Sequence, residues 1–304
     1  MTFGSLFAGI GGFDLGLERA GMTCMWQCEI DKYANQILKK HWPEVKRYED
    51  IKRLTNPEPV DLICGGFPCQ DLSVAGNRDG LSGQRSGLFF EMARIINEVR
   101  PRWFILENVP GLLSSKNGQD MQTVLETLVK LGYSVAYRVL DSKNFGVAQR
   151  RKRVFIIGSF GNADSIKVLF EPESIKLNLP TGKRKKCADA NTVGSLTSRD
   201  FKGIGSTIDD KIIIDPNAIG EPRIYTKTTP TLNTSQRQPC INQNGLRRLT
   251  PTEYERLQGF PDGWTNCLSD TQRYKTLGNA VTVNVIEWIG KRIANKEAEK
   301  CDHL

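Results

Sequence analysis

Apolar positions along this chain fall into a repeating alternation of short continuous runs and longer stretches with helical spacing. Val60-Asp61-Leu62-Ile63-Cys64 and Trp103-Phe104-Ile105-Leu106 are nearly unbroken, as strands buried on both faces of a parallel sheet must be. Ser5-Leu6-Phe7-Ala8, Thr23 to Cys28 and Val154-Phe155-Ile156-Ile157 read as further strands, and Ser134 to Leu140 alternates like a half-buried one. Between them Phe13, Leu17 and Ala20 recur at helical spacing up to Gly21. Leu88, Phe89, Met92, Ile95, Ile96 and Val99 mark a second helix that ends near Pro101, and Met121, Leu125, Leu128 and Val129 a third, closed by Gly132. Strand then helix, repeated, predicts an α/β fold with a Rossmann-like sheet.

From about residue 161 this alternation fades. Lys183-Arg184-Lys185-Lys186, Thr197 to Gly203 and Thr228 to Thr234 are polar or basic, with Ile212-Ile213-Ile214 as one candidate strand. Regular patterning resumes near Arg247, where Thr250, Pro251 and Glu253 match a helix N-cap with proline at the first position and a capping box. Asn284 to Lys296 closes the chain as an amphipathic helix with Val285, Trp288, Ile289 and Ile293 inward. The predicted organisation is a main domain over 1–160, a smaller loop-rich domain over 161–245, and a return to the main domain over 246–304.

Charge and cysteine usage narrow the partners. A formal net charge of +8 in 304 residues points to a polyanion, because Lys and Arg neutralise phosphates and release counterions. The eight cysteines are scattered without a Cys-x-x-Cys pair, and the two histidines fall in a helical-looking segment and in the tail. Zinc and Cys-His hydrolase sites are therefore disfavoured, and no metal is expected. No basic leader precedes an apolar core, and no apolar run approaches the roughly 18 residues of a membrane span, so a soluble, cytoplasmic-type protein is expected.

The turns that follow the strands carry the candidate chemistry, since open α/β sheets bind ligands at the carboxyl edge. Gly9-x-Gly11-Gly12 departs from the Gly-x-Gly-x-x-Gly dinucleotide fingerprint, which disfavours nicotinamide and flavin cofactors. Glu29 ends the second strand, where a carboxylate binds ribose hydroxyls; Asp50 is placed to accept from an adenine amino group, with Ile51 covering the ring. In Gly65-Gly66-Phe67-Pro68-Cys69-Gln70 the strand is expected to stop at the glycine pair, leaving Cys69 on a rigid turn as a nucleophile. Cys24, Cys28 and Cys64 read instead as small buried hydrophobes. A polar loop from Asp71 to Gln84 reads as a lid, and Glu107-Asn108-Val109-Pro110 is delivered to the same edge as Cys69. Gln149, Arg151 and Arg153 alternate on an extended segment, so three donors on one face are expected to meet phosphates or a base carbonyl.

Taken in order, Phe7-x-Gly9-x-Gly11-Gly12, Pro68-Cys69-Gln70, Glu107-Asn108-Val109, Gln149-x-Arg151-x-Arg153, Arg248-Leu249-Thr250-Pro251 and Gly278-Asn279-Ala280-Val281 resemble the motifs of the bacterial and phage-type DNA (cytosine-5) methyltransferases. The match covers nearly the whole chain and leaves out only residues 161–245, where that family carries its target recognition domain. It departs at Ala280, where many members have Ser after the Asn. The resemblance implies a methyltransferase domain that binds S-adenosylmethionine, and a cleft for double-stranded DNA.

Carried over by position, Cys69 is the nucleophile at C6 of a flipped-out cytosine, with loop 71–87 closing on the DNA. Glu107 in protonated form pairs with N3, Arg153 contacts O2, and Arg151 supports that wall. Phe7, Gly9, Gly11, Glu29, Ile30, Asp50, Ile51, Pro68, Leu88, Asn279 and Val281 are the implied cofactor contacts. Gln70, Ser73, Gln149, Thr231 and Leu232 are the implied DNA contacts. The expected partners are duplex DNA and, for a modification enzyme, a restriction endonuclease acting on the same site; a monomer is the default. A tRNA cytosine methyltransferase of the same fold and a non-catalytic DNA-binding regulator stand as the other readings. Against them are Pro68-Cys69-Gln70, the sizeable recognition region and the complete set of catalytic residue types.

Overall fold

The computed structural model describes residues 1–68, 87–170 and 249–300 in full, and 212–215, 223–225, 240–242, 246–248 and 301 as backbone. Its centre is a seven-stranded sheet of β1 Thr2–Leu6, β2 Thr23–Cys28, β3 Lys46–Tyr48, β4 Leu62–Gly66, β5 Trp103–Asn108, β6 Tyr133–Asp141 and β7 Lys152–Phe160, in the order β3-β2-β1-β4-β5-β7-β6. The first five strands run parallel; β7 is antiparallel to both β5 and β6. The chain order reverses between β1 and β4, which opens a crevice at their carboxyl ends.

Both faces of the sheet are covered, which is why its strands read as unbroken apolar runs. Leu62, Cys64, Trp103 and Ile105 point to one side, onto Phe13 and Leu17 of α1 (Gly12–Arg19) and Ile286 and Ile289 of α8 (Val283–Cys301). Ile63, Phe104 and Leu106 point to the other, onto Phe89, Met92 and Ile96 of α3 (Leu88–Val99) and Leu128 of α4 (Gln119–Lys130). A third cluster joins α2 (Lys32–His41) to α6 (Pro251–Gln258) and α7 (Asp270–Asn279) through Ile37, Leu38, Tyr254, Trp264 and Leu277. Trp264 Nε1 donates to Ile10 O at 2.9 Å, so the C-terminal segment is bonded directly to the first turn of the chain.

Three expectations change. The glycine pair does not end β4: Gly65 is paired with both Leu6 and Leu106, and Gly66 with Glu107, inside the sheet. The glycines serve close approach rather than a turn, because a Cβ on Gly65 would lie 2.3 Å from Leu6 O. Strand-helix alternation also runs past residue 161, since α5 (Asp164–Leu169) buries Val168 and Leu169 in the sheet's own core. The last helix extends to Cys301, beyond the residue 296 at which its apolar pattern stops.

Thr250 forms the expected capping box with Glu253 at the start of α6. The strand expected at Ile212-Ile213-Ile214 is β8 (Ile212–Asp215). It joins β9 (Arg223–Tyr225), β10 (Cys240–Asn242) and β11 (Leu246–Arg248) in an antiparallel sheet ordered β11-β10-β8-β9. No described helix is long and apolar enough to cross a membrane.

Candidate active site

The turn after β1 is built from backbone that ordinary side chains avoid. Phe7, Gly9 and Gly11 have φ of 52°, 56° and 82°, and Gly11 then serves as the N-cap of α1 without any side-chain cap. A Cβ at Gly11 would lie 2.3 Å from the Trp42 ring, so this glycine is needed for helix packing as well as for the turn. Glu29 fixes the turn from the end of β2. Gly9 N–H donates to its Oε2 at 2.7 Å and Asp31 N–H to its Oε1 at 2.7 Å. Burial raises the Glu29 carboxyl above its ordinary range, and the two N–H donors pull it partly back.

A cavity of about 200 Å³ opens at this edge of the sheet. Its walls are Phe7 to Ile10, Gly12 and Phe13 from the first turn, Glu29, Asp31 and Ala34 from the second, Gly66 and Glu107 from β4 and β5, and Lys275, Thr276 and Asn279 to Val281 from the C-terminal return. Phe7, Gly9, Glu29, Asn279 and Val281, five of the implied cofactor contacts, thus meet around one space. Other implied contacts lie elsewhere. Gly11 is under Trp42, Ile30 is 73% exposed, Ile51 is buried in the core under α3, and Asp50 binds its own loop through Lys52 N–H at 2.9 Å. Pro68 and Leu88 border the undescribed segment 69–86 without lining the cavity.

On the β5 side, Arg153 Nε meets Glu107 Oε1 at 3.0 Å, and both side chains are about 15% exposed, at 15% and 14%. Burial raises the Glu107 carboxyl; the charges of Arg153 and Arg151 oppose the rise without cancelling it. A carboxyl so placed holds its proton more readily than a free one. Glu107 also leans over β4, where a Cβ at Gly66 would lie 3.0 Å from its Oε2. Asn108 next to it donates to Phe67 O at 2.9 Å and accepts from Val109 N–H at 2.8 Å, which ties the segment before Cys69 to the Glu107 strand.

Arg151 is held by the C-terminal return. It is 2% exposed and donates from Nη1 to Gly278 O at 3.2 Å and from Nη2 to Ala280 O at 2.8 Å, while its N–H bonds Asp141 Oδ1 at 3.0 Å. Burial and the like charge of Arg153 lower its pKa to about 9, which leaves it a cation at neutral pH. The three-donor face expected at Gln149, Arg151 and Arg153 is not an open one. Gln149 is fully buried and its amide atoms have no partner among the described residues, and Arg151 points into the return. Extended geometry put these side chains on one side; the α7 end then took up Arg151, and Gln149 became buried as well.

Cys69, Gln70, Ser73, Thr231 and Leu232, with the expected lid, lie outside the described residues. Cys24, Cys28 and Cys64 are buried, as expected of small hydrophobes. Asn108, quoted only as part of the Glu107 motif, and Asp31 and Lys275 have no role of their own in the sequence reading. The first two had a signal in their places beside Glu107 and two residues after Glu29. Lys275 sits four residues before Asn279, hence on the same helix face.

A parallel sheet with an antiparallel β7, a crevice at its reversal point and a glycine-rich first turn define a Rossmann-like methyltransferase fold. Solved structures share it: the Dnmt2 methyltransferase of S. pombe superposes with a TM-score of 0.66 at 17% identity, over 98% of this chain and 99% of that one. The DNMT2 of Spodoptera frugiperda, as a triple mutant, does so at 0.64 and 19%, over 96% and 99%. In sequence, the chain is 34% identical to the Type II methyltransferase M2.BsuMI of Bacillus subtilis, over 98% of its length and 76% of the relative's. It is 34% identical to the Type II methyltransferase M.HpaII of Haemophilus parainfluenzae, over 97% and 89%. The model of the C-5 cytosine-specific DNA methylases matches residues 1–213 and 173–295, and the chain belongs to that family.

Proposed function

We propose that the protein transfers a methyl group from S-adenosylmethionine to C5 of a cytosine flipped out of a specific duplex DNA sequence. The observation that carries this reading is the placement of Glu107. A largely buried carboxyl held against Arg153 lines the same cavity as the Gly9–Glu29 turn, so an acid suited to a pyrimidine ring adjoins the crevice to which the proposal assigns the cofactor. The polar groups of the cavity fit an adenosine-bearing cofactor, with the Glu29 carboxylate as an acceptor on one wall and the uncapped start of α1 offering N–H donors on another. When bound, S-adenosylmethionine supplies an electrophilic methyl on a sulfonium.

The remaining work falls to this chain's residues. Cys69 as thiolate adds to C6 of the cytosine while Glu107 shares its proton with N3 and takes up the charge gathering on the ring. Arg153 binds O2, and Arg151 holds Arg153's strand against the C-terminal return. C5 then accepts the methyl, a base removes the C5 proton, and expulsion of Cys69 restores the aromatic ring. Gln70, Ser73, Thr231 and Leu232 read the target, with residues 161–245 as the recognition domain. In a cytoplasmic setting the modification would protect the site against a restriction endonuclease of the same specificity, as the names of the Type II relatives suggest.

Purified protein incubated with tritiated S-adenosylmethionine, mixed-sequence duplex DNA and tRNA, followed by digestion to nucleosides, tests this. Label is expected in 5-methyldeoxycytidine and absent from Cys69→Ser, which should keep its fold and melting curve. Label confined to tRNA, or near-parental turnover by Cys69→Ser, overturns the DNA reading or the covalent route respectively.

A further inference from the structure

Lys275 is a residue that the proposed chemistry leaves without a task. It stands on the exposed side of α7, one turn before Asn279, and lines the cavity with it. Of the sixteen residues around that space it is the single cation; Glu29, Asp31 and Glu107 are the acids. Among the described residues Lys275 forms no ion pair, although α2, which carries Asp31 as its N-cap, packs directly against α7. The acids are already engaged: Glu29 by Gly9 and Asp31 N–H, Asp31 by Tyr33 and Ala34 N–H at 2.8 and 3.0 Å, and Glu107 by Arg153. A lysine left unpaired beside three carboxylates is arranged for an anion that arrives with a ligand.

A second feature of the same cavity points the same way. The first turn of α1 has no side-chain cap, and Gly12 and Phe13 of that turn line the cavity. Gly12 and Phe13 present the N-terminal N–H groups and the positive end of the helix to the cavity, which favours negative charge there; Asp14 of the same turn is not on the cavity wall and is bonded to Ser5 and Gln27. Resting on the cofactor reading above, we infer that Lys275 binds the α-carboxylate of S-adenosylmethionine. It thereby makes the site selective for an amino-acid-bearing nucleoside over one that lacks the carboxylate. The ribose is left to Glu29, and Lys275 takes the opposite charge, so the two walls fix the direction in which the cofactor enters.

The test compares the binding of S-adenosylmethionine and of decarboxylated S-adenosylmethionine by calorimetry to the full chain and to its Lys275→Met and Lys275→Arg variants. A charge-assisted hydrogen bond predicts that the parent prefers the carboxylated ligand by roughly ten- to a hundredfold. Lys275→Met should lose most of that preference and Lys275→Arg should keep most of it. A structural role alone would weaken both ligands equally and leave the ratio unchanged, and that result overturns the inference. So does an unchanged ratio accompanied by weaker duplex DNA binding, which would assign Lys275 to a phosphate. Failure of the parent to bind either ligand would overturn the cofactor reading itself, and the inference with it. Melting curves of the variants exclude unfolding as the cause.

Discussion

Glu107 and Glu29 are both largely buried carboxylates at the carboxyl edge of one sheet, and burial raises the pKa of each. Their surroundings differ in kind. Glu29 is balanced by two backbone N–H groups, donors that cannot move without unmaking the β1 and β2 turns, and the Asp31 charge beside it pushes its pKa further up. Glu107 is balanced by the guanidinium of Arg153, on a strand of its own, with Arg151 behind it. The first arrangement fixes a shape; the second fixes a charge and leaves a proton exchangeable. On the function proposed above, a binding wall and a catalytic wall are made from the same residue type by changing what compensates it.

The largest expected effect follows from removing the proton-exchanging group. Glu107→Gln keeps an acceptor for Arg153 but cannot share an acidic proton with a base ring. Turnover should fall by about 10²- to 10⁴-fold, with binding of S-adenosylhomocysteine retained. Single-turnover methylation alongside calorimetry checks both halves; unchanged turnover would reduce Glu107 to a structural ion-pair partner.

A third buried carboxylate, Asp14, sharpens the comparison because it lies on no wall of the cavity. It accepts from Ser5 Oγ at 3.0 Å and Gln27 Nε2 at 2.8 Å, and burial raises its pKa to about 6. Its folded-state value is above its free value of 3.8, so between those two values the folded chain holds a proton that the unfolded chain has lost. Stability present at low pH is therefore lost as pH rises through about 6, by about 3 kcal/mol for a shift of this size. Asp14→Asn preserves the hydrogen bonds and removes the ionisation. Its stability relative to the parent should climb by that amount between pH 4 and 6 and then level off, with turnover unaffected. Urea melts across that range measure it; a constant difference would mean that Asp14 does not titrate there.

Glu29→Gln has the smallest expected effect. The amide faces two N–H donors with one acceptor, so either Gly9 or Asp31 loses its partner. Cofactor affinity should drop roughly tenfold, read as Kd, while turnover at saturating cofactor changes much less. A fall in turnover as large as that of Glu107→Gln would erase the distinction between the two walls.

The sequence by itself determined most strands of the sheet, several helix caps and the types of residue near each strand end, although it reads the first strand as Ser5 to Ala8 where β1 is Thr2–Leu6. These are local properties: burial on both faces demands unbroken apolar runs, and caps such as Thr250 with Glu253 are written within four residues. Only the tertiary structure decided which strand ends share a cavity, because that depends on the order of strands across the sheet and on a helix from residue 270 onward returning to the first turn. It also decided that Gly65 and Gly66 lie within β4, that Gln149 and Arg151 are buried, and that Lys275 faces the cavity without an ion pair among the described residues. A pattern of spacing gives the side of a strand or helix on which a side chain emerges. What stands opposite comes from chain that is distant in sequence, and that neighbour sets whether a polar group is solvated, paired or left waiting for a ligand.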